Sequence, residues 1–422
     1  MSTPSTPDAT LLPLLSARRI VVCVGSGGVG KTTTSATLAL LAAVVLGRRV
    51  LVLTIDPARR LADALGVRAL GHDIQKVPDE KLEAVARHRG IPRAPGGSLS
   101  AMMLDQKRAF DEIVERYARD ATVRRRIFDN GIYQQISARL AGSHEYAAMS
   151  KLYDLAQQSP PPYDLIVLDT PPTENALDFL DAPDRISQAI DSPALQWFIK
   201  PYLQAGSWSL RLVGVGGAFV LRGLSRFVGS TFLQQMAEFF VEFSEVTAGF
   251  RDRAEKVRTL LRKPDVAFVL VCSPEQLSIE EALYFHERLR RAEMPLGGAV
   301  VNRVHAAGPP LPAQFADQLH SQPALRGFVA EDLRHLTESL IRTYDEQQTL
   351  AASDQAAIGD LRRQVGVGRA AAGATTGSTN GPASGPLPLC MVPMFDSDIH
   401  DAQGIARISE YLAPVPVPGP QN

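Results

Sequence analysis

The decapeptide Gly25-Ser-Gly-Gly-Val-Gly-Lys-Thr-Thr-Thr34 constrains this chain more than any other stretch. It follows the apolar run Arg19-Ile-Val-Val-Cys-Val24 and opens into Ser35-Ala-Thr-Leu-Ala-Leu-Leu-Ala-Ala43, whose composition favours helix. Gly25, Gly30, Lys31 and Thr32 satisfy the spacing of a phosphate-binding loop, and strand, turn and helix are the setting such a loop requires. The glycines let the backbone curl until successive N–H groups converge, and a helix N-terminus adds its partial positive charge. Gly27, Gly28, Val29, Gly30, Lys31, Thr32 and Thr33 are therefore the candidate cradle for a triphosphate. Lys31 is placed to reach the outer phosphates, and Thr32 to offer its hydroxyl to Mg²⁺. A chance glycine-rich turn would not bring the full spacing between the right elements, so a bound nucleoside triphosphate is expected.

Two further apolar runs end in carboxylates. Arg49-Val-Leu-Val-Leu-Thr-Ile-Asp56 is broken by Pro57, and Tyr163-Asp-Leu-Ile-Val-Leu-Asp169 runs into Thr-Pro-Pro-Thr173. An Asp that closes a buried strand is the usual partner of a phosphate loop, so Asp169 is expected to hold Mg²⁺ through water. Asp56 either orients an attacking water or caps the helix that resumes at Ala58. Residues 265–272 and 297–302 read as a fourth and a fifth strand, and residues 387–394 as one more. Helical patterns cover residues 277–292 and 404–412. Strands that carry such residues at their carboxyl ends predict an α/β fold with a doubly wound, mostly parallel sheet. The loop motif occurs once, so one nucleotide site is encoded.

The remaining stretches set the organisation. Residues 1–17 are polar and proline-containing and read as a flexible leader, and residues 413–422 as a flexible tail, leaving a single domain over 18–412. Residues 66–99 are rich in Gly, Pro and charge and read as a surface excursion. Periodicity turns helical from Leu99 to Gln158 and again over 183–262, which predicts a helical subdomain at approximately 99–158 and 183–262, inserted between and after the two carboxylate-ended strands. Its apolar stretches are either packed helices or a surface for a partner. Residues 366–385, mostly Gly, Ala, Ser and Thr with little bulk, are expected to be a disordered linker. Residues 212–221, ten without charge, are too few to span a bilayer, and no transmembrane segment is expected. A formal net charge of -1 gives no electrostatic case for nucleic acid. Cys23, Cys272 and Cys390 each lie in an apolar run without CxxC spacing, which suggests neither zinc nor disulfides and points to a reducing, cytoplasmic setting.

In motif order, from about residue 19 to 412, the chain resembles the ArsA family, the arsenite-pump and tail-anchored-protein-targeting ATPases, in a bacterial-like branch. Asp56-Pro-Ala58 resembles the family's first switch, whose Asp is the base or water-positioning group. Asp169-Thr-Pro-Pro-Thr173 resembles the second, normally Asp-Thr-Ala-Pro-Thr. Residues 273–278 (Ser-Pro-Glu-Gln-Leu-Ser) and Val301-Asn302 resemble segments whose Glu and Asn contact ribose and adenine, which implies Glu275 and Asn302 as nucleotide contacts. Val392-Pro-Met-Phe395 resembles the closing loop beside the base and implies Pro393. Glu145, in Ala-Gly-Ser-His-Glu145, stands where relatives carry Pro-Gly-X-Asp-Glu, with a solvated helix start as the alternative. His144 reads as a surface histidine. The long insert between the switches fits as well.

The resemblance implies Mg²⁺-dependent hydrolysis of ATP that drives a conformational switch in a dimer. The partner would be a second copy or a related ATPase subunit, and an apolar protein client or membrane-protein partner would dock at the helical subdomain. The departures are specific. The family loop reads Gly-Lys-Gly-Gly-Val-Gly-Lys-Thr, and its first Lys reaches the partner's phosphates, whereas Ser26 stands here. Glu174-Asn175 replace the family's Gly-His, and the paired cysteines are absent. Arsenite activation through cysteine is therefore not expected. The alternative reading is a nucleotide-gated regulatory subunit of low intrinsic turnover that works with a Lys-bearing paralogue. A small-molecule kinase is a further rival, for which no acceptor-substrate motif speaks.

Overall fold

A computed structural model describes residues 10–55, 60–67, 70–134, 143–170, 230–366, 387–396, 399 and 402–414. Eight strands run in chain order: β1 (Ile20–Val24), β2 (Arg49–Thr54), β3 (Gln75–Lys76), β4 (Ser98–Met103), β5 (Leu165–Asp169), β6 (Val266–Cys272), β7 (Leu296–Val304) and β8 (Leu389–Pro393). They form one sheet in the order β3-β4-β2-β5-β1-β6-β7-β8, parallel throughout except for β3 against β4. The apolar runs of β1, β5 and β6 are buried at every residue, as central parallel strands covered on both faces must be.

Strand alternation sorts the core into two layers. Val21, Cys23, Val50, Val52, Val167, Val269 and Val271 face α2 (Lys31–Val45), α4 (Asp79–His88) and the closing helix Ala402–Leu412. Val22, Val24, Leu51, Leu53, Leu168, Phe268 and Leu270 face the other layer. That layer holds α5 (Gln106–Tyr117), α6 (Ala121–Asp129), α7 (Ser143–Ala156), α8 (Ser230–Leu261), α9 (Gln276–Arg291) and the end of the 36-residue helix Ala330–Val365. The short helices α1 (Leu12–Ala17), α3 (Arg60–Leu65) and α10 (Phe315–His320) complete the order, which makes Ala330–Val365 α11 and Ala402–Leu412 α12. The mostly parallel α/β sheet that the sequence predicts is present. Among the described residues, no helix is long and apolar enough to cross a membrane.

Three stretches depart from the sequence reading. Within residues 1–17, read as a flexible leader, Leu12–Ala17 is a helix. Leu11 and Leu15 are fully buried, and the Leu11 N–H donates to the Leu412 carbonyl at 2.9 Å. Four leucines within residues 11–15 supply the apolar area that holds it. Residues 66–99, read as an excursion, contribute β3, α4 and the start of β4. Leu82, Val85 and Ala86 of α4 are buried in the same layer as α2. Ser98–Met103, read as the start of a helix, pairs parallel with β2 over its whole length. It contains no β-branched residue, so its strand character comes from tertiary burial of Leu99 and Ala101 on one face and Met102 on the other. Residues 183–229 and 367–385, assigned to the helical subdomain and the linker, lie outside the described residues, as do 1–9 and 415–422. Ala413 is fully buried, and Arg89 Nη2 donates to its carbonyl at 2.5 Å.

Candidate nucleotide-binding site

The β1–α2 loop sits where the carboxyl ends of β1, β5, β6 and β7 converge. Gly28 and Gly30 take φ of 76° and 90°, conformations that a side chain would strain. Gly25 packs so close to β6 that a Cβ there would run into the Val271 carbonyl. Gly30 in the left-handed region starts α2, which has neither a side-chain cap nor an acidic residue in its first turn. Its leading N–H groups are therefore left for an anion. Lys31 is 5% exposed, and its ammonium donates to the Gly25 carbonyl at 2.8 Å and the Ser26 carbonyl at 2.6 Å. This folds the charge over the mouth of the loop.

Asp169, fully buried at the end of β5, gathers three hydroxyls from α2 and β2. Thr32 Oγ1 of α2 donates to Oδ2 at 2.8 Å, Thr54 Oγ1 of β2 to the same oxygen at 2.9 Å, and Ser35 Oγ to Oδ1 at 3.5 Å. These donors offset the cost of burying the carboxylate. Thr32 gives its proton to Asp169, so its lone pairs are free for a hard cation. A hydroxyl and a carboxylate side by side suit Mg²⁺, which keeps several waters and needs few protein ligands. The cysteines do not enter: burial pushes the thiols of Cys23, Cys272 and Cys390 up to about 12.

On the other side of the loop, Asn302 Nδ2 donates to the Val29 carbonyl at 2.7 Å and to Thr34 Oγ1 at 3.3 Å. Its Oδ1 is buried and has no hydrogen-bond partner among the described residues. Val301 pairs with Met391 and Val304 with Pro393, so three steps along β7 oppose two along β8. Asn302 and Arg303 form this bulge. Arg303 takes φ of 60°, which costs a non-glycine residue roughly 1–2 kcal/mol. Ser26 turns inward: its hydroxyl lies 3.1 Å from Ser278 Oγ, which accepts the Ser273 N–H at 3.0 Å.

The structure thus brings Gly27 to Thr33, Lys31, Asp169 and Asn302 to one place. Glu275 is exposed at the start of α9, and Pro393 is half-buried at the end of β8, next in line across the sheet. Asp56 lies outside the described residues, as do the side chains of His144 and Glu145. The sequence reading missed Ser35, Thr54, Ser278 and Arg303. Ser35 and Thr54 had a signal, as polar positions within otherwise apolar runs that flank the loop or precede Asp56. The bulge at Arg303 had none, because it depends on pairing with β8.

Residues 18–320 match the family model of the ArsA or anion-transporting ATPases. The chain is 28% identical over 299 residues to ATPase GET3 of Podospora anserina, covering 70% of this chain and 77% of that protein. Against ATPase get3 of Schizosaccharomyces pombe it is 27% identical over 283 residues, with 66% and 71% covered. With ATPase GET3C of Arabidopsis thaliana it shares 26% over 306 residues, with 69% and 68% covered.

Proposed function

The chain belongs to the anion-transporting ATPase family, and on that premise we propose that it binds Mg²⁺–ATP in the β1–α2 loop and hydrolyses it to drive a conformational switch. The observation that carries this reading is the Thr32–Asp169 hydrogen bond at 2.8 Å beside an uncapped helix start. Bound Mg²⁺, held by Thr32 directly and by Asp169 through water, would neutralise charge on the outer phosphates. The N–H groups of Gly27 to Thr33 cradle the phosphates. Lys31 exchanges its two carbonyl acceptors for phosphate oxygens and stabilises the charge that develops there. Asp56 orients the attacking water.

The test is phosphate release measured alongside nucleotide binding. Lys31→Ala should abolish hydrolysis and weaken binding, because its charge acts in both ground and transition states. Asp56→Asn should keep binding and lose most turnover. Normal turnover in Asp56→Asn would remove its catalytic role, and normal turnover in Lys31→Ala would remove the reading itself.

A second reading concerns assembly and is motivated by Ser26. Its hydroxyl is engaged with Ser278 in its own chain and carries no charge to offer a partner. The chain would then serve as a nucleotide-gated subunit that dimerises with a related, Lys-bearing ATPase. The first reading, a homodimer, needs a cation from elsewhere. In either case we propose a cytoplasmic setting and an apolar protein client or membrane-protein partner at the helical subdomain, a reading that the family membership supports.

A further inference from the structure

Arg303 is the residue of this site whose conformation the fold alone does not explain. Among the described residues, only Glu293 and Arg303 have positive φ without being glycine. Glu293 lies just past the end of α9, where helices commonly finish in the left-handed region. Arg303 lies inside β7, at the bulge, one residue beyond Asn302. Bulges re-aim side chains beside active sites, and left-handed non-glycine residues gather at ligand clamps. The Arg303 side chain is exposed and makes no hydrogen bond or ion pair among the described residues. A strained backbone that serves only to present an unpaired guanidinium needs a ligand to account for it.

The geometry also says which part of a nucleotide lies there. Mg²⁺ would accompany the outer phosphates, and its candidate holders, Thr32 and Asp169, lie on the β5 side of β1. The nucleoside must then leave the loop on the opposite side, over β6, β7 and β8. On that side stand two groups without partners among the described residues: the buried Oδ1 of Asn302, which is 8% exposed, and the Arg303 guanidinium. The Met394 N–H donates to the Val304 carbonyl at 3.0 Å, which holds the end of β8 against the same bulge. A guanidinium is planar and stacks on aromatic faces as well as donating hydrogen bonds.

We propose that the β7 bulge delivers Arg303 onto the face of the purine base of a nucleotide bound in the same chain, making it a base-positioning residue. This rests on the nucleotide-binding reading above. The test is calorimetric titration of the full chain with Mg²⁺–ATP and, separately, with Mg²⁺ and inorganic tripolyphosphate, which has no base. Arg303→Ala should weaken ATP binding by about three- to thirtyfold and leave tripolyphosphate binding unchanged. Arg303→Gly should show the same loss with a thermal midpoint no lower than that of the natural chain, because glycine relieves the strain. Arg303→Lys, charged but not planar, should bind ATP more weakly than the natural chain.

Equal weakening for tripolyphosphate would make Arg303 a phosphate contact and overturn the proposal. Unchanged ATP affinity in Arg303→Ala and Arg303→Gly would overturn it too, including the case where only hydrolysis falls and the arginine serves a partner's site. If the natural chain bound no ATP, the nucleotide reading would fail and this inference with it. Normal binding by the natural chain beside normal binding by the variants defeats the inference alone.

Discussion

Asp169 offers the sharpest separation between folding and function in this molecule. Its carboxylate is fully buried and accepts Thr32 Oγ1 at 2.8 Å and Thr54 Oγ1 at 2.9 Å on one oxygen. Asp169→Ala removes that acceptor from both hydroxyls, and at the buried Thr54 the loss should cost about 1–3 kcal/mol. That is a large part of a typical stability of about 5–15 kcal/mol. Asp169→Asn keeps an oxygen in the same place for both threonines and turns its NH₂ toward Ser35, so the cost should be only about 1 kcal/mol. Both variants lose the charge that would face Mg²⁺ in the proposed site. The assay is urea unfolding of the natural chain and both variants, with and without Mg²⁺–ATP. At a ligand concentration of about one hundred times Kd, binding should raise the stability of the natural chain by roughly 2.7 kcal/mol. A tenfold weaker complex in Asp169→Asn would remove about 1.4 kcal/mol of that gain. The reasoning is refuted if Asp169→Asn keeps the whole Mg²⁺-dependent gain, or if the Ala variant is as stable as the Asn variant.

Two other outcomes are expected. Burial alone would raise the Glu112 carboxyl, but hydrogen bonds from Lys151 and His72, each at 2.9 Å, outweigh it and hold it below the usual carboxylate range. The Asp105 N–H donates to His72 Nδ1 at 3.3 Å, which leaves the imidazole proton on Nε2 for Glu112. A lowered carboxyl stabilises the fold above its ordinary value of 4.5 and loses that contribution as pH falls through its folded value. Glu112→Gln should therefore be less stable than the natural chain at pH 7, and the gap should close below about pH 4.5 in urea unfolding; a pH-independent gap would contradict this. For assembly, Ser26→Lys or an added Lys-bearing paralogue should raise the phosphate-release rate with a dependence on protein concentration. Full activity of the chain alone, with no gain from either, would favour the homodimer.

The parts of this fold that were legible in the sequence are those fixed by local chemistry. A buried parallel strand must be apolar throughout, so β1, β2, β5, β6 and β7 stand out as runs of Val, Ile and Leu. The loop that follows β1 must be glycine-rich and must lead into a helix. β4 escaped because Ser98-Leu-Ser-Ala-Met-Met103 has neither bulk nor branching, and only its pairing with β2 makes it a strand. The leader escaped because Pro13 and the polar residues before it hide a leucine cluster that is buried only once α12 closes over it. In the site, Lys31, Thr32 and Asp169 follow from the motif and a strand end. Ser278 and Arg303 act through residues about 250 positions away in sequence or through a register shift, and no local pattern encodes either.

The contacts around the loop divide by chemistry, and the division locates the moving part of the site. Toward β6 and β7 the loop is braced by neutral contacts: the Gly25 backbone against Val271, Asn302 Nδ2 on the Val29 carbonyl, and the Ser26–Ser278 hydroxyl pair. None of these groups changes charge when a phosphate arrives or leaves, so this side has no reason to respond to hydrolysis. Toward β2 and β5, Thr32 of the loop helix and Thr54 of β2 share the Asp169 carboxylate. A metal on the Thr32 lone pairs would polarise its O–H and strengthen the Thr32–Asp169 bond, and Thr54 of β2 rests on the same oxygen. A ligand shifts a conformational equilibrium only where it interacts differently with the two states. Among the described residues the Asp169 oxygen is such a place. On the proposed reading, the carboxyl ends of β2 and β5, where the Asp56-Pro-Ala58 and Asp169-Thr-Pro-Pro-Thr173 segments begin, would move on hydrolysis. The β6–β7 side, with Asn302 and Arg303, would provide the wall against which a nucleoside is held.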